Sequence, residues 1–141
     1  MQLVLRQPAA RDSGDESTGV VVAASPDTFG REQWQWDVRV TDALGGFEVT
    51  VAHNPELIHV VEERIDIAPA YEAMREADEL WLLVVVEREI AHGHFRLEAG
   101  DVAVWEGEDP IRIRLDAIDG LAVVRLVRIT RRDGKAARWV P

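Results

Sequence analysis

Residues 80 to 86 read LWLLVVV, an unbroken apolar run that leaves few folds open to this chain. It is far shorter than the ~20 residues a membrane-spanning helix needs, and both of its alternating faces are apolar. On an extended strand Trp81, Leu83 and Val85 share one face while Leu82, Val84 and Val86 share the other, because successive side chains point to opposite sides. The run therefore predicts a central strand covered from both sides. An oligomer contact could supply the second cover. With Trp34 and Trp36 near an expected sheet edge, this predicts a homodimer.

The rest of the chain repeats the theme in shorter form. Apolar or alternating stretches such as GVVVAA, WQWDVRVT, GGFEVTVA, ELIHVVEERIDIAP, HFRLEAG, DVAVWEG, DPIRIRL and GLAVVRLVRIT are divided by turn signals. Segments spaced at roughly 8–12 residues read as an antiparallel sandwich or barrel. APAYEAMREADEL alone has the composition of a helix, so the fold class expected is all-β with at most one short helix. In DPIRIRL the residues Ile111, Ile113 and Leu115 share a buried face and Arg112 and Arg114 a solvated one. Residues 1–19 read as an N-terminal strand followed by a polar, flexible loop, and residues 20–141 as one domain.

Composition excludes several activities. The chain of 141 residues carries 26 acidic and 16 basic groups, a net charge of −10, which repels a phosphate backbone; nucleic acid is not an expected partner. Without cysteine there is no disulfide scaffold, thiolate metal site or cysteine nucleophile, and a cytoplasmic location is expected. No signal segment or membrane span is read, and no membrane partner is expected. Glycine-rich nucleotide loops, Gly-x-Ser-x-Gly and His-Glu-x-x-His are missing, and Ser13, Ser17 and Ser25 fall in loop-like sequence.

IAHGHFRLEAG, residues 90–100, holds a His-x-His pair. His92 and His94 would share a face of a continuous strand and, with Glu98, could ligate a metal. Gly93 between them favours a tight hairpin instead, since such turns need a residue that accepts positive φ. No metal and no cofactor are expected.

The second half of the chain resembles a cupin. RIDIAP, ADELWLLVVVERE, FRLEAGDVAVWEGEDPIRI and AVVRLVRI follow the order of a cupin's strands and motifs over about residues 57–130, and LEAGDVAVWEGEDP is the most specific part. VWEGEDPIRIRLDAIDG with RITRR bears a weaker likeness to the HutD/Ves branch of cupins. The resemblance implies a double-stranded β-helix (jelly-roll) barrel. It also implies that the family's metal-binding histidines are replaced, with Ala73 and Arg75 at the first motif, if Glu79 is its glutamate, and Ile111 at the second. A cupin of this kind is expected to be metal-free, a small-molecule-binding or accessory and regulatory protein. The alternative is a metal-independent epimerase, isomerase or cyclase that uses a carboxylate as acid or base.

Parity nominates the pocket. Glu63 alternates in step with Val61, Ile65 and Ile67, and Glu79 with Trp81, Leu83 and Val85, so either carboxylate would face the interior, partnered by an arginine such as Arg75. An open barrel would have a floor of Trp81, Leu83, Ile111 and Ile113. Trp34 and Trp36 are read as packing, or as an aromatic wall for a flat ligand.

Overall fold

In the computed structural model, residues 1–5, 20–24, 36–43 and 46–138 are described. Most of the polar loop after residue 5, the three serines and Trp34 lie outside them. The described residues form twelve strands and no helix: β1 (Gln2–Leu5), β2 (Val20–Ala24), β3 (Trp36–Ala43), β4 (Gly46–His53), β5 (Ile58–Ile67), β6 (Ala70–Met74), β7 (Leu80–Glu87), β8 (Glu89–His92), β9 (Phe95–Glu98), β10 (Val102–Trp105), β11 (Arg112–Ala117) and β12 (Ala122–Arg131).

The apolar run is β7, and it lies in the middle of a five-stranded antiparallel sheet ordered β1-β10-β7-β12-β5. Its two faces enter two cores. Leu80, Leu82 and Val84 pack with Trp36, Val38 and Val40 of β3 and with Ile58, Val102, Val104, Val127 and Ile129. Trp81, Leu83 and Val85 pack with Ile90, Leu97, Trp105, Ile113, Leu115 and Leu126. The first core is closed by a three-stranded sheet, β2-β3-β4, and the second by a four-stranded sheet, β6-β11-β8-β9. The second cover of β7 thus comes from the chain's own β3 and β4, and Trp36 is fully buried there. The second face of β7 and Trp36 are thus covered within one chain, and Trp34 lies outside the described residues.

From β5 onward the pairing is nested. β8 pairs with β9, β7 with β10, β6 with β11 and β5 with β12, all antiparallel, so this part of the chain follows the path of one long hairpin folded over itself. Two of its turns share one device. In LEAGD the Glu98 N–H donates to Asp101 Oδ2 at 2.8 Å, and in EGED the Glu106 N–H donates to Asp109 Oδ2 at 2.9 Å. An aspartate whose side chain returns to the backbone in this way fixes a turn without regular strand partners.

Two expectations change. The stretch with helical composition contains β6, because Tyr71 and Ala73 alternate toward the second core and stand opposite Leu115 and Ile113 of β11; cross-strand packing outweighs intrinsic propensity. Ile111 does not join Ile113 and Leu115 on the buried face. It sits in a bend before β11 and is 42 % exposed, since alternation holds only where the backbone is regularly extended. Arg112 and Arg114 are exposed as parity required.

Candidate functional site

The second core is polar at one end. Trp105, Trp81 and Arg128 stand side by side across β10, β7 and β12, and the Arg128 guanidinium lies 4.8 Å from the centroid of the Trp81 ring. Arg128 Nη2 approaches Glu63 Oε2 at 3.4 Å. On the other side the Trp81 indole N–H donates to Glu79 Oε1. Glu63, Arg128, Trp81 and Glu79 thereby form a chain of contacts, although Glu63 is not turned into a closed interior. Its ion pair is partly solvated and is worth about 0–1 kcal/mol.

Arg75 is buried, with 1 % exposure. Its guanidinium donates to backbone carbonyls: Nη1 to Glu79 at 2.8 Å and Glu76 at 3.2 Å, and Nη2 to Asp109 at 2.7 Å and Gly107 at 3.0 Å. The side chain clamps the turn before β7 to the turn after β10. Burying a cation is costly unless its donors are satisfied; here carbonyl dipoles satisfy both Nη groups, while the buried Nε has no hydrogen-bond partner among the described residues. Nearby, burial opposes ionisation of Asp109, yet the Glu106 N–H, the Met1 ammonium and the Arg75 charge together hold its carboxyl below the usual carboxylate range.

A depressed folded-state pKa contributes stability that is present above the unfolded value, about 3.9 for aspartate, and is lost as pH falls through the folded value. The stability difference between the wild type and Asp109→Asn is therefore expected to be full at neutral pH and to shrink at pH below ~4. Urea unfolding at a series of acidic pH values checks this, and a difference that grows toward low pH would contradict it.

Among the described residues the expected floor is divided, since Trp81, Leu83 and Ile113 are buried and Ile111 is exposed. Trp81, Leu83 and Ile113 are each about 1 % exposed, Trp105 is fully buried, and Leu115 and Leu126, each 2 % exposed, belong to the same core. Two surface clefts are found elsewhere. One, about 380 Å³, is lined by Phe47, Glu48, Val49, Thr50, Arg64, Val86, Val123 and Arg125. The other, about 300 Å³, is lined by Glu56, Leu57, Arg131, Arg132 and Asp133. Neither includes Glu63, Arg75, Glu79, Trp81, Leu83, Ile111 or Ile113. Arg64 and Arg125 were not singled out by sequence; Arg64 follows two glutamates, and Arg125 interrupts an apolar stretch of β12. What sequence does not show is that they stand opposite one another.

The histidine pair is a hairpin tip. His92 ends β8, Gly93 and His94 form the turn, and Phe95 opens β9. His92 Nδ1 donates to the Arg114 carbonyl at 3.1 Å, and its ring meets Trp105 edge-on with centroids 5.2 Å apart. Among the described residues no three His, Asp or Glu side chains are grouped to hold an ion. Gly93 has φ 58° with open space where a Cβ would point, so Gly93→Ala meets no clash and tests the backbone alone. A loss of about 1–2 kcal/mol is expected, and thermal unfolding that shows a gain would contradict it.

Comparison of the chain with protein-family models, with characterised proteins and with solved structures found no match.

Proposed function

We propose that this chain is a cupin-like jelly roll without a metal centre, working as a small-molecule-binding or accessory protein. The nested pairing from β5 to β12 supports the fold reading, because eight strands wound as a doubled hairpin into two facing sheets make a jelly roll. The observation that carries the functional reading is Arg75. At a position where the resemblance expects an imidazole ligand, there is a buried cation held by backbone carbonyls, which would repel a divalent metal. Ala73 has no ligand atom, and Ile111 is an exposed apolar residue outside the strand.

The enzyme alternative requires a base within hydrogen-bond reach of a substrate proton. Glu63 is engaged by Arg128 and Glu79 by Trp81, and neither lines a described cleft. The non-catalytic reading is favoured for that reason. A cytoplasmic setting belongs to the same proposal and draws support from the lack of cysteine; no helix among the described residues is long and apolar enough to cross a membrane.

Elemental analysis of protein purified from metal-supplemented medium tests this reading. The expected result is no stoichiometric zinc, iron, nickel or manganese. A stoichiometric transition metal that survives dialysis would overturn it, with His92, His94 and Glu98 as the first residues to replace.

A further inference from the structure

We propose that the cleft between β4 and the five-stranded sheet binds a small amphipathic oxyanion, an apolar body bearing one carboxylate or phosphate group. The cleft lies beyond the end of the first core, on the face of the central sheet opposite the jelly-roll interior, so this inference does not rest on the cupin-like reading.

Its chemistry follows from register. Arg64 of β5 and Arg125 of β12 are direct cross-strand partners, and like charges in that position repel each other unless something negative lies between them. Arg64 leans toward Asp66 at 3.6 Å, but both side chains are more than half exposed and the pair is weak. Arg125 is half-buried, and among the described residues no carboxylate pairs with it, in a chain where acidic groups outnumber basic ones. The two guanidiniums thus flank a place for an anion. Planar forks of this kind bind carboxylate and phosphate oxygens in pairs.

The remaining walls select what the anion is attached to. Val86 and Val123 contribute apolar surface from the central sheet. Phe47 and Val49 face them from β4, where they pack against the first core. Glu48 and Thr50, which also line the cleft, alternate out of step with these two residues and are exposed, so their side chains point away from the first core. A volume of about 380 Å³ suits a small ligand. With Asp66 drawing on Arg64 and Glu48 at the rim, a ligand with a single anionic group suits the pair of guanidiniums, and the apolar walls supply the rest of the affinity.

Isothermal titration of the full chain at low salt with octanoate, octyl phosphate, octanol and inorganic phosphate tests the proposal. Saturable binding is expected for one or both of the anionic amphiphiles, and the tighter of the two identifies the headgroup. Octanol, which lacks the charge, and inorganic phosphate, which lacks the body, should each bind at least about tenfold more weakly, as should octanoate or octyl phosphate to Arg125→Met. Arg64→Met and Arg125→Lys are measured alongside, so that a folding defect in one variant does not decide the outcome. The proposal is overturned if neither amphiphile binds, if octanol binds as well as its anionic counterparts, or if folded Arg125→Met and Arg64→Met retain wild-type affinity.

Discussion

Replacing Arg75 by methionine is expected to lower stability by on the order of 3–5 kcal/mol, because the part-buried carbonyls of Glu79, Gly107 and Asp109 lose charged donors at 2.7–3.0 Å and gain none. Methionine keeps much of the aliphatic bulk. The loss therefore reports the clamp and not a large cavity. In a chain of this length the change corresponds to a fall in melting temperature of roughly 10–15 °C. Lysine at the same position keeps a charge but lacks the planar fork that reaches both turns, so Arg75→Lys should recover only part of the loss. Urea unfolding followed by tryptophan fluorescence gives both values. If Arg75→Met costs less than about 1 kcal/mol, the two turns are held by other contacts and the guanidinium is not their clamp.

Trp105→Ala should have an effect of similar size for a different reason. The Trp105 side chain is fully buried between the five-stranded and four-stranded sheets, beside Trp81 and against the edge of His92. Truncating a buried tryptophan removes its transfer free energy and leaves a void that the surrounding strands fill incompletely, at a cost of about 3–5 kcal/mol. Trp105→Phe, which keeps most of the apolar volume, should cost clearly less. Chemical denaturation separates the two. A nearly neutral alanine variant would mean that the space between the sheets is loosely packed, and the reading of a closed interior would fall with it.

The central strand was the most legible part of the fold, because LWLLVVV is apolar in both parities and only a strand covered on both faces accommodates that. The burial of Ile113 and Leu115 was legible for a related reason, the strict alternation of DPIRIRL. That same alternation misplaced Ile111, since period-two reasoning carries no information about where the regular backbone begins. The stretch containing Tyr71 and Ala73 read as helical because composition reflects local preference, whereas its strand is stabilised by partners on β11 that are distant in sequence. The identity of the second cover was hidden similarly: Val38 and Val40 alternate as any half-buried strand does, and nothing local says which sheet they meet.

The candidate site divides along the same line. Strand parity gave Glu79 and Trp81 one face of β7 and its approach, and Glu63 one face of β5, but it could not show Arg128 lying over the indole or the carbonyls around Arg75. Those contacts depend on register between strands, and register is set by the whole fold. The facing of Arg64 and Arg125 is a further case, for each arginine alone reads as an ordinary solvated residue on a strand. Gly93 was readable because its demand is local. A two-residue hairpin loop needs positive φ, and glycine supplies it without steric cost.

A crystal structure at a resolution that shows ordered water tests the central claim most directly, because that claim concerns the space between the two facing sheets from β5 to β12. The predicted result is nested strand pairing with Trp81, Trp105, Leu83, Ile113 and Leu115 in van der Waals contact, Arg75 on the backbone carbonyls of both turns, and neither solvent nor ligand between the sheets. An open channel between them, holding water, a metal or a bound molecule beside Glu79 or Glu63, would contradict it.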